Sequence, residues 1–179
     1  MKSIRWEKPR AGWLTLNTDG SAASNSGPTG GGRLVRDENG NWVKGFARRI
    51  GNTSSYLVEL WALQDGLQLC LQIHAQFVVI ELDAKAIVEA FNSPTFPSSC
   101  VSPIMDECKH MATRIPQTRF RHIYREANRC ADFLARFGSL LENDFIVFTS
   151  PPVDLFFFLE ADANGTGCVL NLCLLFSVL

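Results

Sequence analysis

Residues 12–21 read GWLTLNTDGS, a run in which apolar and polar side chains alternate before it ends in Asp-Gly-Ser. Such alternation is the pattern of a half-buried β-strand, and it predicts a strand over residues 13–19. Asp19 closes that strand. Gly20 follows it and, because it lacks a Cβ, lets another backbone or a ligand approach closely. The stretch therefore predicts a strand that carries a carboxylate at its end.

An Asn-Gly step further along the chain extends this strand into a sheet. Residues 31–36 and 41–48 have strand patterns, and the turn over residues 37–40 joins them. An Asn-Gly pair between two such runs is a strong hairpin signal. Residues 27–32 are rich in glycine and contain a proline, which indicates a turn before the hairpin. Three antiparallel strands are therefore predicted.

The rest of the chain alternates helical and strand patterns. Four leucines at positions 60, 63, 67 and 71 recur at helical spacing, whereas residues 77–82 (FVVIEL) are typical of a strand buried on both faces. A hairpin followed by crossovers predicts an α/β fold, with a mixed sheet and helices on its faces. The further elements are a helix over 56–74, a strand over 77–82, helices over 84–91 and 104–115, a strand over 119–124, and a helix over 126–137 ended by Gly138.

Four acids stand where these elements would bring them to one end of the sheet. Asp19 and Asp83 each end a strand, and sites in open α/β sheets gather beyond the carboxyl ends of strands. Glu59 lies on a helix face of small and apolar residues, where an unpaired acid is costly. Asp132 lies in the last helix, four residues after Asn128. Hard divalent cations need clustered oxygen ligands of this kind.

Each acid also has an ordinary structural explanation. Asp19 could be a turn residue, Glu59 a solvated helix acid and Asp83 a helix cap. Asp132 could pair with an arginine of its own helix. The combination of the four positions, rather than any one of them, favours a metal site.

The charge of the chain is unevenly distributed. The 179 residues are 46% hydrophobic and 20% charged, with a formal net charge of −1, as expected for one globular domain. Residues 139–179 contain five acids and no Lys or Arg, so the preceding part carries all 17 basic residues against 13 acids. Basic side chains concentrate over residues 109–129, which fits contact with phosphates but equally fits a solvated surface.

Cysteine usage and hydropathy indicate an intracellular protein, in the nucleus or the cytoplasm. The six cysteines form no C-x-x-C pair, and residues 1–10 are too charged for a signal peptide. Residues 168–179 are apolar but only about half as long as a membrane span requires. We therefore expect no membrane association, and we expect a monomer.

The chain resembles the ribonuclease H-like domain of plant reverse-transcriptase-related proteins, in the type 1 ribonuclease H superfamily. The resemblance covers roughly residues 5–160 and implies a five-stranded mixed sheet of order 3-2-1-4-5, with three antiparallel strands, then two parallel ones, and helices on both faces. The matching stretches are 12–21 (GWLTLNTDGS), 31–45 (GGRLVRDENGNWVKG), 58–67 (VELWALQDGL), 80–88 (IELDAKAIV) and 122–138 (HIYREANRCADFLARFG).

The resemblance also implies the chemistry of the site. It implies a metal-dependent endonuclease that hydrolyses the RNA strand of RNA–DNA hybrids with two Mg²⁺ ions, or with Mn²⁺ in their place. The metal-binding and catalytic acids are Asp19, Glu59, Asp83 and Asp132. Contacts with nucleic acid fall on Gly20, Ser21, Ser54, Ser55, Arg125 and Asn128.

One departure and three alternatives accompany the resemblance. Many ribonucleases H carry a catalytic His on a longer loop before the last helix, but here the loop is short and contains Arg125, while His122 lies too early in the strand. The main alternative is a non-catalytic nucleic-acid-binding module of the same fold. The others are another nuclease class on this fold and an interaction domain with surface acids.

The same patterns divide the chain. We expect an N-terminal extension over residues 1–12, the ribonuclease H-like domain over 13–139, and a tail that is partly packed or disordered over 140–179. The tail is set apart by its lack of basic residues and by its composition after Pro151-Pro152.

Overall fold

The computed structural model describes residues 4–22, 27–93 and 102–166, which form a mixed sheet flanked by helices. Two short 3₁₀ helices, Arg125–Ala127 and Val153–Leu155, lie in connections. The strands are β1 (Leu14–Ala22), β2 (Thr29–Arg36), β3 (Trp42–Gly51), β4 (Phe77–Leu82), β5 (Gln117–His122) and β6 (Phe145–Phe148). The helices are α1 (Ser55–Gln72), α2 (Lys85–Asn92), α3 (Pro103–Thr113), α4 (Arg129–Ser139) and α5 (Phe156–Ala163).

The sheet has the strand order β5-β4-β1-β2-β3-β6. Strands β1, β2 and β3 are antiparallel, whereas β4 pairs parallel with β1 and β5 pairs parallel with β4. The predicted α/β class and the order 3-2-1-4-5 are therefore confirmed. The count of five strands is wrong, because β6 adds a sixth strand antiparallel to β3. Four residues are too few to show an alternating pattern, which is why this strand was not predicted.

The glycines of β2, which were predicted to form a turn, lie in the strand and have a packing role. Residues 29–32 belong to the strand, and a Cβ at Gly30 or Gly32 would overlap the backbone of α4 near Ala135. Gly138 does not end α4 but lies within it, where a Cβ would be 2.6 Å from the carbonyl oxygen of Arg48. Small residues thus let α4 rest directly on the sheet.

Helices cover both faces of the sheet, as predicted. One core joins α1, α2 and α3 to the sheet through buried residues such as Leu16, Leu63 and Ile80. The other core lies under α4, where Leu34 meets Leu134 and the C-terminal Leu155 and Leu159. Residues of the predicted tail therefore contribute to the second core, while the domain boundaries themselves stay a prediction.

A buried arginine links both terminal segments to the sheet. The guanidinium of Arg36 donates from Nη1 to Oδ2 of Asp162 in α5 (2.8 Å) and from Nη2 to Oδ1 of Asn17 in β1 (2.7 Å). Its Cζ lies 3.7 Å from the ring centroid of Trp6. Because the side chain of Arg36 is 0% exposed, these partners stand in for the water that its charge loses on burial.

A buried glutamate forms the other half of this network. One carboxylate oxygen of Glu81 accepts hydrogen bonds from Trp6 Nε1 (2.9 Å) and Asn17 Nδ2 (2.7 Å). The other accepts from Nε of Arg121 at 2.9 Å. Residues before and after the predicted domain boundaries therefore satisfy buried charged groups on β2 and β4.

Other expectations from the sequence fall partly outside the described residues. Within them, no helix is long and apolar enough to cross a membrane. Cys70 and Cys130 are buried and unpaired, as expected for small apolar side chains. The apolar end of the tail from residue 167, and most of the loop predicted at 97–103, lie outside the described residues.

Replacing Asp162 with Ala is expected to lower the free energy of unfolding by about 3–5 kcal/mol, because it leaves the guanidinium of Arg36 buried without its carboxylate. Urea unfolding of the full chain measures the effect. Asp154→Ala is the matched control, since Asp154 is an exposed acid of the same segment. A difference below about 1 kcal/mol between the two variants would contradict the role given to this ion pair.

Candidate active site

Three of the four predicted acids meet at one edge of the sheet. Asn17 and Glu81 are paired across the parallel strands β1 and β4, so Asp19 and Asp83, each two residues further on, emerge side by side. Glu59 reaches the same place from the first turns of α1. One carboxylate oxygen from each of Asp19, Glu59 and Asp83 lies within 4.8 Å of the other two.

Gly20 explains how a helix can deliver an acid to this edge. A Cβ at Gly20 would lie 2.9 Å from the backbone nitrogen of Glu59 and 2.6 Å from Cγ1 of Val58. Only a residue without a side chain lets β1 and α1 approach this closely. The Asp-Gly step therefore brings the backbone of Asp19 next to that of Glu59.

The three carboxylates are held together at an electrostatic cost. Burial, then repulsion from Glu59, Asp83 and Asp132, raises the pKa of Asp19 well above its usual range. Burial and the charge of Asp83 raise the pKa of Glu59 to about 8. Burial likewise raises the pKa of Asp83, against the opposing attraction of Arg125.

Two oxygens of this cluster are buried without a hydrogen-bond partner. They are Oδ2 of Asp19, whose residue is 2% exposed, and Oε2 of Glu59. Buried acceptors are nearly always satisfied by a donor, a water or an ion. Converging carboxylate oxygens, two of them without a hydrogen-bond partner, suit a hard divalent cation such as Mg²⁺, so these residues fit the metal expected from the sequence.

Asp132 lies in the first turn of α4 and is engaged elsewhere. Its Oδ1 accepts a hydrogen bond from Nη2 of Arg125 (2.6 Å), and its Oδ2 forms an ion pair with Nε of Arg136 (3.0 Å). Its charge still acts on Asp19, but its oxygens are not part of the three-acid group. The sequence alternative of an ion pair within the helix is thus present alongside proximity to the site.

Asn128 has a structural role in this arrangement. Its side chain is buried, and Nδ2 donates to the carbonyl oxygen of Thr18 at 2.8 Å. The bond ties the start of α4 to β1 one residue before Asp19, and so fixes the distance between Asp132 and the cluster. In this conformation Asn128 is not accessible to nucleic acid, and its predicted contact stays a prediction.

The other residues predicted to contact nucleic acid lie around the same edge. Ser54 caps α1 through a hydrogen bond from the backbone nitrogen of Leu57 to its Oγ (3.3 Å), and Ser55 is exposed at the first position of the helix. Ser21 is half-buried on β1, while the side chain of Arg125 is 61% exposed.

Two aromatic residues near the site were not predicted. Tyr56 is 42% exposed one helical turn before Glu59, a spacing that could have indicated a shared helix face. His122 pairs with Leu82 in the parallel ladder, next to Asp83, and its charge acts on that acid. His122 was not expected at the site because it lies within a strand, yet its pairing with Leu82 brings it next to Asp83.

Comparison with known proteins identifies the family. The sequence pattern of the reverse transcriptase-like family matches residues 17–138, more than half of the chain. The chain belongs to this family. The match includes all four predicted acids, and the ribonuclease H-like nature of the domain is confirmed.

Known relatives agree with this assignment. An Arabidopsis thaliana protein named for ribonuclease H is 32% identical over 165 residues, which are 92% of this chain and 27% of that protein. The ribonuclease H-like chain thus spans little more than a quarter of that relative's length.

Solved structures share the fold. LC11-RNase H1, which was isolated from compost and solved in complex with an RNA/DNA hybrid, superposes with a TM-score of 0.62 at 27% identity, over 70% of this chain and 96% of that chain. The N-terminal RNase H domain of a Mycobacterium tuberculosis protein has a TM-score of 0.64 at 20% identity, over 71% of this chain and 93% of that chain.

The thermal stability of the metal-free protein is expected to fall as the pH rises from about 5 to about 8. The raised pKa values of Asp19, Glu59 and Asp83 mean that the folded state binds more protons than the unfolded state, so the stabilisation present below pH 4 is lost as these acids ionise. Added Mg²⁺ should restore the melting temperature most at the alkaline end.

Thermal unfolding with EDTA or with Mg²⁺, across this pH range, measures the effect. Asp19→Asn should flatten the metal-free profile and raise its alkaline melting temperature by several degrees, on the order of 1–2 kcal/mol. The control Asp154→Asn removes an exposed acid outside the cluster. Parallel profiles for wild type and Asp19→Asn would argue against repulsion within the cluster.

Proposed function

We propose that this domain hydrolyses the RNA strand of RNA–DNA hybrids with divalent metal ions held by Asp19, Glu59, Asp83 and Asp132. The observation that carries the proposal is the convergence of three carboxylates within 4.8 Å, two of which have a buried oxygen without a partner. An isolated surface acid has neither property. A cation would both satisfy these oxygens and relieve their repulsion.

The comparisons support the choice of substrate. The Arabidopsis relative is named for ribonuclease H, and LC11-RNase H1, at 27% identity, has been solved with an RNA/DNA hybrid. Residues 4–138 carry the excess of basic side chains that a polyanionic partner requires. A hybrid is therefore preferred over duplex DNA as the substrate.

The chain's own residues would supply binding and orientation. Asp19, fixed at the end of β1 beside α1, would hold the ions together with Glu59, Asp83 and Asp132. Divalent ions bound here, whether Mg²⁺ or Mn²⁺, would lower the pKa of an attacking water and stabilise the leaving 3′ oxygen. The proposal requires no nucleophile from the protein.

The exposed groups at this edge would hold the nucleic acid. Ser54 and Ser55 stand at the N-terminus of α1, where backbone N–H groups and the helix dipole favour a phosphate. Ser21 and the backbone at Gly20 lie beside Asp19, where they could contact the 2′-hydroxyl that distinguishes RNA from DNA. Arg125 would meet a phosphate near Asp83.

Replacing Asp83 with Asn is expected to reduce cleavage of a labelled RNA–DNA hybrid by at least about a hundredfold in Mg²⁺, because the amide is a poorer metal ligand and removes one charge from the site. The measurement is single-turnover cleavage on a denaturing gel. Asp106→Asn, an exposed acid in the first turn of α3, is the matched control.

Cleavage of equal rate by wild type and Asp83→Asn would refute the metal role. A second candidate is a nucleic-acid-binding module without catalysis, and the ion pairs that occupy both oxygens of Asp132 favour it. It predicts that wild type retards the hybrid in a salt-dependent gel shift but leaves it uncut in Mg²⁺ and in Mn²⁺.

A further inference from the structure

Asp132 differs from the other three acids in how its charge is compensated. Its two oxygens are bound by Arg125 at 2.6 Å and Arg136 at 3.0 Å. Asp19 and Glu59, in contrast, each keep a buried oxygen with no partner. The structure thus contains a three-acid site ready for a cation and a fourth acid that is already neutralised.

The two arginines are not equivalent. Arg136 follows Asp132 by four residues on α4, so this pair moves as one unit with the helix. Arg125 belongs to the preceding 3₁₀ helix, and its charge acts on Asp19 and Asp83 as well as on Asp132. The charge of Arg125 therefore acts on the cluster as well as on Asp132.

The position of Arg125 lets it serve as a counter-ion for the whole site. It lowers the pKa of Asp19, Glu59 and Asp83, as a cation among them would. Its side chain is 61% exposed, whereas that of Asp132 is 16% exposed. Solvent and a bound polyanion can therefore reach the arginine more easily than the acid.

We propose that Arg125 is a latch that holds Asp132 away from metal binding until a phosphate of the nucleic acid takes over its guanidinium. The inference rests on the proposed function and adds a regulation of the same site. Carboxylate and phosphate both match the planar fork of a guanidinium, so they compete for the same donors. Once Arg125 pairs with phosphate, Oδ1 of Asp132 is free to bind a cation.

The surrounding backbone allows this exchange without a larger movement. Asn128 anchors the start of α4 to Thr18 by a 2.8 Å hydrogen bond, and Arg136 keeps hold of Oδ2 of Asp132. In the proposed exchange the side chain of Arg125 turns outward while α4 stays in place. The free protein should therefore hold one ion tightly, at Asp19, Glu59 and Asp83, and bind a second one tightly only with nucleic acid.

The test is a titration of the full chain with Mn²⁺, in which bound ions are counted by electron paramagnetic resonance. The nucleic acid is a hybrid whose RNA strand carries 2′-fluoro groups, and a gel verifies that it stays uncut. Wild type should bind one ion alone and two with the hybrid. Without nucleic acid, Arg125→Ala should bind the second ion about tenfold more tightly than wild type does. Adding the hybrid should then raise the affinity of this variant for the second ion only a little.

Arg136→Ala is the matched control, because it removes the same charge from the same carboxylate but from the other oxygen, Oδ2, and leaves Arg125 on Oδ1. Like wild type, this variant should bind one ion without nucleic acid and two with the hybrid. Equal behaviour of the two variants, or two ions of similar affinity on free wild type, would overturn the latch. Either result would leave the nuclease proposal intact.

The failures of the two proposals can be told apart. If Mn²⁺ does not bind at all, both the metal role and the latch are overturned. If the 2′-fluoro hybrid raises the number of bound ions from one to two in wild type, but the unmodified RNA strand of a hybrid is never cut, the latch stands and the proposed activity fails. Asp132→Asn should abolish the second ion in every arm, and retention of that ion would overturn the latch.

Discussion

Repulsion between carboxylates is the interaction on which the site depends, because burial strengthens it and the fold must resist it. Asp19 comes from β1, Glu59 from α1 and Asp83 from the end of β4, so the packing of these elements holds their backbones close together. The contact of Gly20 with the backbone of Glu59 makes this rigidity possible. The site is thus a strained assembly that the rest of the domain stabilises.

A second buried polar network, in which the charges are paired, lies at Asn17, two residues before Asp19 on β1. Asn17 joins the buried charges of Arg36 and Glu81, and these in turn hold Trp6 and Asp162 from the two ends of the described chain. Asp19 and Glu59 each keep one buried oxygen without a partner, whereas in this network Arg36 is paired with Asp162 and Glu81 with Arg121. Strand β1 therefore carries Asp19, with an unpartnered oxygen, at its end, and the hydrogen-bonded side chain of Asn17 two residues earlier.

Much of the fold and of the site could be predicted from the sequence, because alternation and helical spacing report burial directly. The apolar run over residues 77–82 predicted β4 with Asp83 after it, and the alternating run that ends at Asp19-Gly20 predicted β1 with Asp19 near its end. Strand β6 could not be predicted, since four residues carry too little periodicity. The pairing of Asp132 with Arg125 could not be predicted either, because sequence spacing does not decide which of the nearby arginines, Arg125, Arg129 or Arg136, pairs with this acid.

The bond from Asn128 to Thr18 has a kinetic consequence. Because it fixes the end of the connection between β5 and α4, residues 123–128, and the backbone nitrogen of Ile123 donates to the carbonyl oxygen of Leu82 (2.9 Å) at its start, we expect this connection not to open as a flap. Movement near the fourth acid is then limited to rotation about side-chain bonds, which takes picoseconds to nanoseconds in exposed residues, rather than the microseconds or longer of a loop closure. Any slow step in turnover would have to arise elsewhere, in the chemistry or in the departure of the strands.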